Sequence, residues 1–223
     1  MKVVLVGAGG HGLVVADILQ RMRDAGDRID LVAIVDDRAA AGRHPLFPVP
    51  VAGGLELLRD IPHDAVIVAI GDNATRRRIG DDLVRSGEVL AIARHPSSVV
   101  APDVDLGPGT VVCAGAVINP GARIGASVIV NTQASVDHHD VLGDGVHVAP
   151  GVRLGGNVEI GDETFVGIGA TVIHGISIGR RVMVGAGSVV TRDVPDGQLV
   201  LGSPARPGGN TSQHAFPHMT RHA

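Results

Sequence analysis

Residues 130–154 read VNTQASVDHHDVLGDGVHVAPGVRL. Every sixth position in this stretch is aliphatic: Val130, Val136, Leu142, Val148 and Leu154. The same step runs back through Ile124, Ile118, Val112 and Leu106 to Val100, and forward through Ile160, Val166, Val172, Ile178 and Val184 to Val190, sixteen aliphatic positions without a break. A second period lies on the first: Gly107, Gly125, Gly143, Gly161 and Gly179 recur every 18 residues, or three sixes. A unit that closes after three short strands is a triangular coil, and coils stacked about 4.8 Å apart build a parallel β-helix. Four residues after each aliphatic, a second and smaller inward position is expected, as at Thr110, Ala116, Ala134, Val152, Ala170 and Ser188. Asp140 alone breaks that rule. Glycines are expected to relieve the tight corners. The spacing leaves the hand of the helix open.

Composition agrees. The 223 residues hold 32 Gly and only three Phe, with no Tyr or Trp, as a prism too narrow for large rings requires. Nineteen Lys+Arg against 23 Asp+Glu, with no basic block, argue against a nucleic-acid partner. The missing aromatics argue against a single-strand binder. Cys113 is the only cysteine, so no internal disulfide is expected and a reducing cytoplasm fits. The apolar run after Met1-Lys2 is too short to span a bilayer, and membrane insertion is not expected.

Residues 1–93 have a different rhythm. VVLVG, LVAIV, AVIVAI and VLAIA read as strands, and Gly12–Met22 and Asn73–Arg85 as helices. This alternation predicts a short parallel α/β sheet, half of a Rossmann-like unit. The expected division is therefore an α/β domain over 1–93, a β-helix over 94–207 and a loose polar tail over 208–223.

Gly7-Ala8-Gly9-Gly10-His11-Gly12 fits G-x-G-x-x-G after a strand and at the start of a helix, where backbone N–H groups receive phosphate. Asp36 and Asp37 close the second strand, where a carboxylate can bond a ribose hydroxyl. Gly71 ends the third strand at the sheet edge where ligands bind in such folds, and Arg76 and Arg77 follow, either to meet a phosphate or to lie on a solvated helix face. A tight turn without a ligand is the plain alternative. A nicotinamide enzyme is disfavoured, because one mononucleotide-binding half does not hold a dinucleotide.

His138 lies two residues after Val136, at a corner pointing out of the prism. His147 is nine residues on, half a coil away, and His174 is two coils from His138 on the same edge. An imidazole suits removal of a proton from an attacking amine or hydroxyl. A solvated histidine without a role is the plain reading of each, strongest for His174.

The segment 130–151 resembles the NeuD/PglD-type sugar acyltransferases, members of the hexapeptide-repeat acyltransferases. GAGGHG, IVDD, AIGDN, HPSSVVAP and GSPAR extend the resemblance over nearly the whole chain. It implies a left-handed β-helix and a homotrimer. Acetyl-CoA, the acyl-donor cosubstrate, would lie in a groove between two β-helices, and a nucleotide-sugar would be held by the N-terminal domain. It implies that His138 is the catalytic base, that Asn131 touches the sugar and that His147 lies near the thioester. Gly156, Ile168 and Ala186 would line the coenzyme groove, and Gly9, Gly10, His11, Asp36 and Asp37 the nucleotide site. One departure matters. The carboxylate that the family carries after its catalytic histidine is His139 here, so Asp140, or else Asp137, is expected to orient the base.

The expected reaction is direct acetyl transfer to an amino or hydroxyl group of a nucleotide-activated sugar, with no metal and no covalent enzyme intermediate. Two rivals are weighed: a zinc hydratase using His138 and His174, which lacks a third histidine where Gly179 stands, and a non-catalytic trimeric scaffold.

Overall fold

The computed structural model describes residues 1–43 and 45–211. The chain begins with strand β1 (Lys2–Val6), helix α1 (Gly10–Asp24) and strand β2 (Asp30–Val35). Strand β3 (Val51–Gly53), strand β4 (Ala65–Val68) and helix α2 (Asn73–Arg85) follow. The four strands form one parallel sheet in the order β3-β2-β1-β4. The fourth strand is therefore the short VAG at the β2 edge. The VLAIA segment makes only a bridge from Leu90 to Val66 and then leaves the sheet as a link. It passes into strand β5 (Ala93–Arg94), which already pairs with Val111–Val112.

From there the chain winds as a left-handed parallel β-helix with three faces. Face one runs from β5 through Ile129–Val130, His147–Val148 and Phe165–Val166 to Met183–Val184. It is extended by Gln198–Leu201 and the antiparallel Arg206–Asn210, so residues 208–210 of the expected tail lie in a strand. Residues 212–223 lie outside the described residues. Face two holds Ser135–Val136 and Arg153–Leu154, and face three holds Val141–Leu142 and Glu159–Ile160.

All sixteen six-step aliphatics enter one core, with Val100 and Leu106 only partly covered at its open end. The second inward series is buried too, Asp140 included. Asp140 is tolerated there because Oδ1 accepts from Val158 N–H at 2.8 Å, and Oδ2 from Asp137 N–H at 2.7 Å. The equivalent amide is capped by Thr164 Oγ1 at Val182, 3.0 Å away. Asp140 thus occupies a slot that a threonine fills elsewhere in the repeat.

The corners differ from expectation in one respect. On the corner of the 18-residue glycine series the left-handed residue is not one of those glycines but lies two places later, as at Ser127 (φ +54°), and another corner carries its left-handed residue on a side chain too, His139 (φ +61°). The periodic glycines serve close stacking instead. A Cβ on Gly125 would lie 2.5 Å from Asp144 Oδ1, the atom that accepts from Ala126 N–H at 2.7 Å.

Face one carries the α/β part. Val111 and Ile129 point out of the prism and are buried in one cluster with Val3, Leu5, Val15 and Ile18. The first turn of α2 is fastened to three successive coils. Arg76, fully buried, donates to the carbonyls of Ser127 (2.8 Å) and Gly145 (2.7 Å), and Asn73 Nδ2 donates to that of Glu163 (3.0 Å). These three carbonyls are 18 residues apart on one corner. Arg77 adds an ion pair to Asp144 at 3.1 Å. Arg76 does not stand as expected: it is neither free to meet a phosphate nor solvated, because five backbone and side-chain oxygens surround its guanidinium.

Candidate active site

The glycine loop separates into two kinds of glycine. Gly7 (φ +111°) and Gly12 are required by the fold, since a Cβ on Gly7 would lie 2.9 Å from Ala69 O and one on Gly12 would collide with Gly7 O. A Cβ on Gly9 or Gly10 would meet nothing within 4 Å. The space above these two is open, and Gly9 is the N-cap of α1, so the backbone there is accessible to a ligand. Asp36 shapes the loop: its Oδ2 accepts from Ala8 N–H at 2.6 Å and its Oδ1 from Arg38 N–H at 2.8 Å. Asp37 Oδ1 accepts from Leu55 N–H at 2.8 Å. Gly71 O is taken by Arg76 at 3.3 Å.

His11, in the first turn of α1, faces the β-helix. Its ring centroid is 6.4 Å from that of His147. His147 occupies the outward ladder of face one, one coil beyond Ile129, with the Phe165 ring edge-on at 5.1 Å. Asn131 Oδ1 accepts from Thr132 N–H at 2.8 Å, which turns its amide nitrogen toward His147 Nε2 at 3.1 Å. His147 Nε2 is therefore the acceptor, and Nδ1 carries the proton. That Nδ1 has the Gly71 carbonyl as its one polar neighbour, and His11 Nε2 is buried without a hydrogen-bond partner. Burial, reinforced by the Arg76 charge, pushes His11 down to about 4, and burial with Arg76 and His11 pushes His147 well below its ordinary value. Both rings are neutral at pH 7. An orphaned buried nitrogen on His11, with His147 and Asn131 beside an open glycine loop, forms a polar recess that calls for ligand atoms.

His138 lies elsewhere. It is exposed on the edge between faces two and three, opposite face one. Its ring lies over Gly156 of the next coil, where any Cβ would overlap it. Its Nδ1 is 3.1 Å from Nδ1 of His139, with the rings edge to face. The two carboxylates expected to orient it do not bond the ring. Asp137 Oδ1 accepts from Asn119 Nδ2 (2.9 Å) and from His138 N–H (2.7 Å), and those bonds hold its carboxyl below the usual range. Asp140 spends both oxygens on backbone amides, and burial raises it to about 6. Ile168, 61% exposed, and Ala186 stand on a third place, the edge between faces one and two.

The expected site residues thus fall into separate groups within one chain. His11, Asn131 and His147 come together at the domain junction, while His138 and Gly156 come together across the width of the prism. Among the described residues no group of three His, Cys, Asp or Glu is placed to hold a metal ion. Cys113 is buried against the α/β part, and burial raises its thiol to about 12.

Comparison with known proteins agrees with this architecture. Residues 2–83 match the family model of the PglD N-terminal domain, and residues 157–192 match that of the bacterial transferase hexapeptide (six repeats). The chain is 37% identical over 115 residues to UDP-N-acetylbacillosamine N-acetyltransferase of Bacillus subtilis, a match spanning 51% of each protein, about half the length of that relative. Two solved structures align over most of both chains. The acetyltransferase domain of PglB from Neisseria gonorrhoeae, in complex with acetyl coenzyme A, is 38% identical, with a TM-score of 0.85 over 92% of this chain and 98% of its own. PerB from Caulobacter crescentus, in complex with CoA and GDP-perosamine, is 42% identical, with a TM-score of 0.83 over 94% and 98%. With family models matching both parts of the chain and solved relatives of 38% and 42% identity covering more than nine tenths of it, the chain belongs to the NeuD/PglD-type sugar acyltransferases of the hexapeptide-repeat class.

Proposed function

We propose that this protein transfers the acetyl group of acetyl-CoA to the amino group of a nucleotide-activated amino sugar, with His138 as general base, and that it does so as a homotrimer. One observation carries the reading: the polar recess at the domain junction and the His138 corner lie on opposite sides of one prism, so neither is a complete site alone. Three prisms packed about a common axis bring the corner of one against face one of the next. The coenzyme groove between them would then be lined by Gly156 from one copy and by Ile168 and Ala186 from its neighbour. The open backbone at Gly9 and Gly10 receives the pyrophosphate. His11, Asn131 and His147 hold the sugar end and the thioester.

The chemistry needs one proton acceptor and one oxyanion donor. The amine nitrogen attacks the thioester carbon, and His138 Nε2 takes the amine proton as the C–N bond forms. The C–S bond then breaks, CoA leaves as the thiolate, and His138 returns the proton to it. The Gly156 N–H, under the His138 ring, is the donor we assign to the oxyanion. The relatives' activities on amino sugars support an amine over a hydroxyl acceptor. A cytoplasmic location fits the reading, since acetyl-CoA is the donor.

The test is turnover of acetyl-CoA with a panel of UDP-, GDP- and dTDP-linked amino sugars, following free thiol. Acetylation of at least one is expected. No turnover with any acceptor would overturn the activity, and a fully active monomer in light scattering would overturn the shared site.

A further inference from the structure

The His138 ring has one side-chain hydrogen-bond partner among the described residues, and it is His139. The two Nδ1 atoms are 3.1 Å apart, the ring centroids 5.3 Å apart and the planes 80° to each other. Two facing ring nitrogens bond only if one carries a proton and the other a lone pair. Both rings are seated. His138 lies over Gly156 of the following coil, and His139 lies over Gly121 of the preceding coil, where a Cβ would be 2.9 Å from His139 Cδ2. His139 holds its place from a left-handed backbone, φ +61°, with its N–H bonded to Pro120 O at 3.2 Å. The nearby carboxylates are committed: Asp137 to Asn119 and the His138 amide, Asp140 to two amides across the coil.

We propose that His139 is the positioning residue for the base: neutral and protonated on Nε2, it accepts a hydrogen bond from Nδ1–H of His138 and leaves the His138 Nε2 lone pair free for the substrate amine. The inference rests on the acetyltransferase reading. It replaces an anionic orienting group with a neutral one. When His138 takes the amine proton, the resulting imidazolium donates to a nitrogen lone pair rather than to a carboxylate. The pair accommodates one added proton with its hydrogen bond intact. A second would put N–H against N–H and break the bond. The charged groups around the pair are Asp137 and Asp140 on its own coil, and Asp103, whose Oδ2 accepts from Gly121 N–H at 2.7 Å beneath it. Asp105 and Arg123 line the groove beside His139.

Two variants and one spectrum test this. His139→Gly suits the left-handed backbone and removes the ring, and His139→Asp supplies an anionic acceptor. His139→Gly should lower kcat with the amino-sugar nucleotide by about 10- to 100-fold, the usual cost of losing an orienting partner, with the acetyl-CoA KM changed less than about twofold. His139→Asp should recover most of that loss and move the acid limb of the kcat–pH profile to higher pH, because an anion favours the protonated base. An acid beside His138 moves that limb in either case, so the loss in His139→Gly together with its recovery in His139→Asp, and not the shift alone, separates positioning from packing. Imidazole ¹⁵N NMR of the wild-type protein near pH 8 should show the proton on Nδ1 of His138 and on Nε2 of His139. Wild-type kcat and pH profile in His139→Gly, or a His138 proton on Nε2 alone, would overturn the proposal. The NMR result stands whether or not an acceptor sugar is found, so failure of the activity and failure of the proton arrangement are separable.

Discussion

The molecule holds two histidine pairs built to opposite specifications. His138 and His139 are exposed, adjacent in sequence and bonded to one another through Nδ1. His11 and His147 come from different domains and turn ring nitrogens into the seam, where His11 Nε2 is buried without a hydrogen-bond partner. Burial beside the Arg76 charge keeps the second pair neutral, so it can shape a recess but cannot carry a proton at working pH. The other pair is open to solvent and to a substrate. A histidine's chemistry here follows from what surrounds it, and that differs by environment more than by sequence motif.

That contrast fails most visibly if His138 is dispensable. His138→Ala should lower kcat by about 10²–10⁴, a general-base contribution, with sugar-nucleotide binding intact by calorimetry. Near-normal turnover would remove proton transfer from the exposed pair.

The buried side is probed at the glycine loop and its histidine. Gly9→Val places a side chain where the protein itself offers no obstacle, so the fold should survive. The sugar-nucleotide KM should rise at least about tenfold, because the new side chain blocks the phosphate approach, while the acetyl-CoA KM stays put. His11→Ala should raise the same KM by about tenfold, the worth of one buried hydrogen bond, without moving the kcat–pH profile. A shifted profile would mean that the buried pair takes part in proton transfer after all.

Arg76 ties the two regions together, and its loss should register as stability. Arg76→Met leaves five acceptor oxygens without their donor and should cost about 3 kcal/mol, read as a lower denaturant midpoint. An unchanged midpoint would show the domain seam to be held by apolar contact alone.

The smallest effect concerns pH. The folded value of His11 lies below its unfolded one, so the folded state binds fewer protons between about 4 and 6.5 and loses stability as pH falls through that window. Asp140 is raised to about 6, so the folded state binds more protons between 3.8 and about 6 and gains stability over nearly the same fall. The two oppose one another. Asp140→Thr, which fills the slot as Thr164 does, should leave activity within a few-fold and steepen the loss of Tm between pH 6 and pH 4. A loss no steeper than wild type would show that Asp140 does not titrate in the fold.

Parts of this were legible in the chain. The frame of sixteen aliphatic positions predicted the prism and its core, and Asn73–Arg85 is α2 to the residue, because Asp72 caps it by accepting from Thr75 N–H at 2.9 Å. Helix α1 runs two residues further at each end than its apolar pattern suggested. The VAG edge strand is too short to show a period, whereas VLAIA looks like a strand but serves as the link. Arg76 looked like one of a solvated row of arginines, because nothing local marks which of them a neighbouring coil will cover.

A repeat that closes every 18 residues is a property of the chain, since each inward side chain must avoid water at the same phase of every turn. The sequence by itself therefore determined the prism, its small-residue core and the glycine turn after the first strand. Which lone pair meets which proton is decided between groups that are distant in sequence or set by a backbone angle. Asp140 is claimed by the Val158 amide one coil on, His11 meets His147 across a domain seam, and His139 reaches the His138 ring from a left-handed φ. Hydrogen bonds are short and directional, and a spacing rule states only which residues share a face, so only the tertiary structure could assign the orienting group to His139 rather than to a carboxylate.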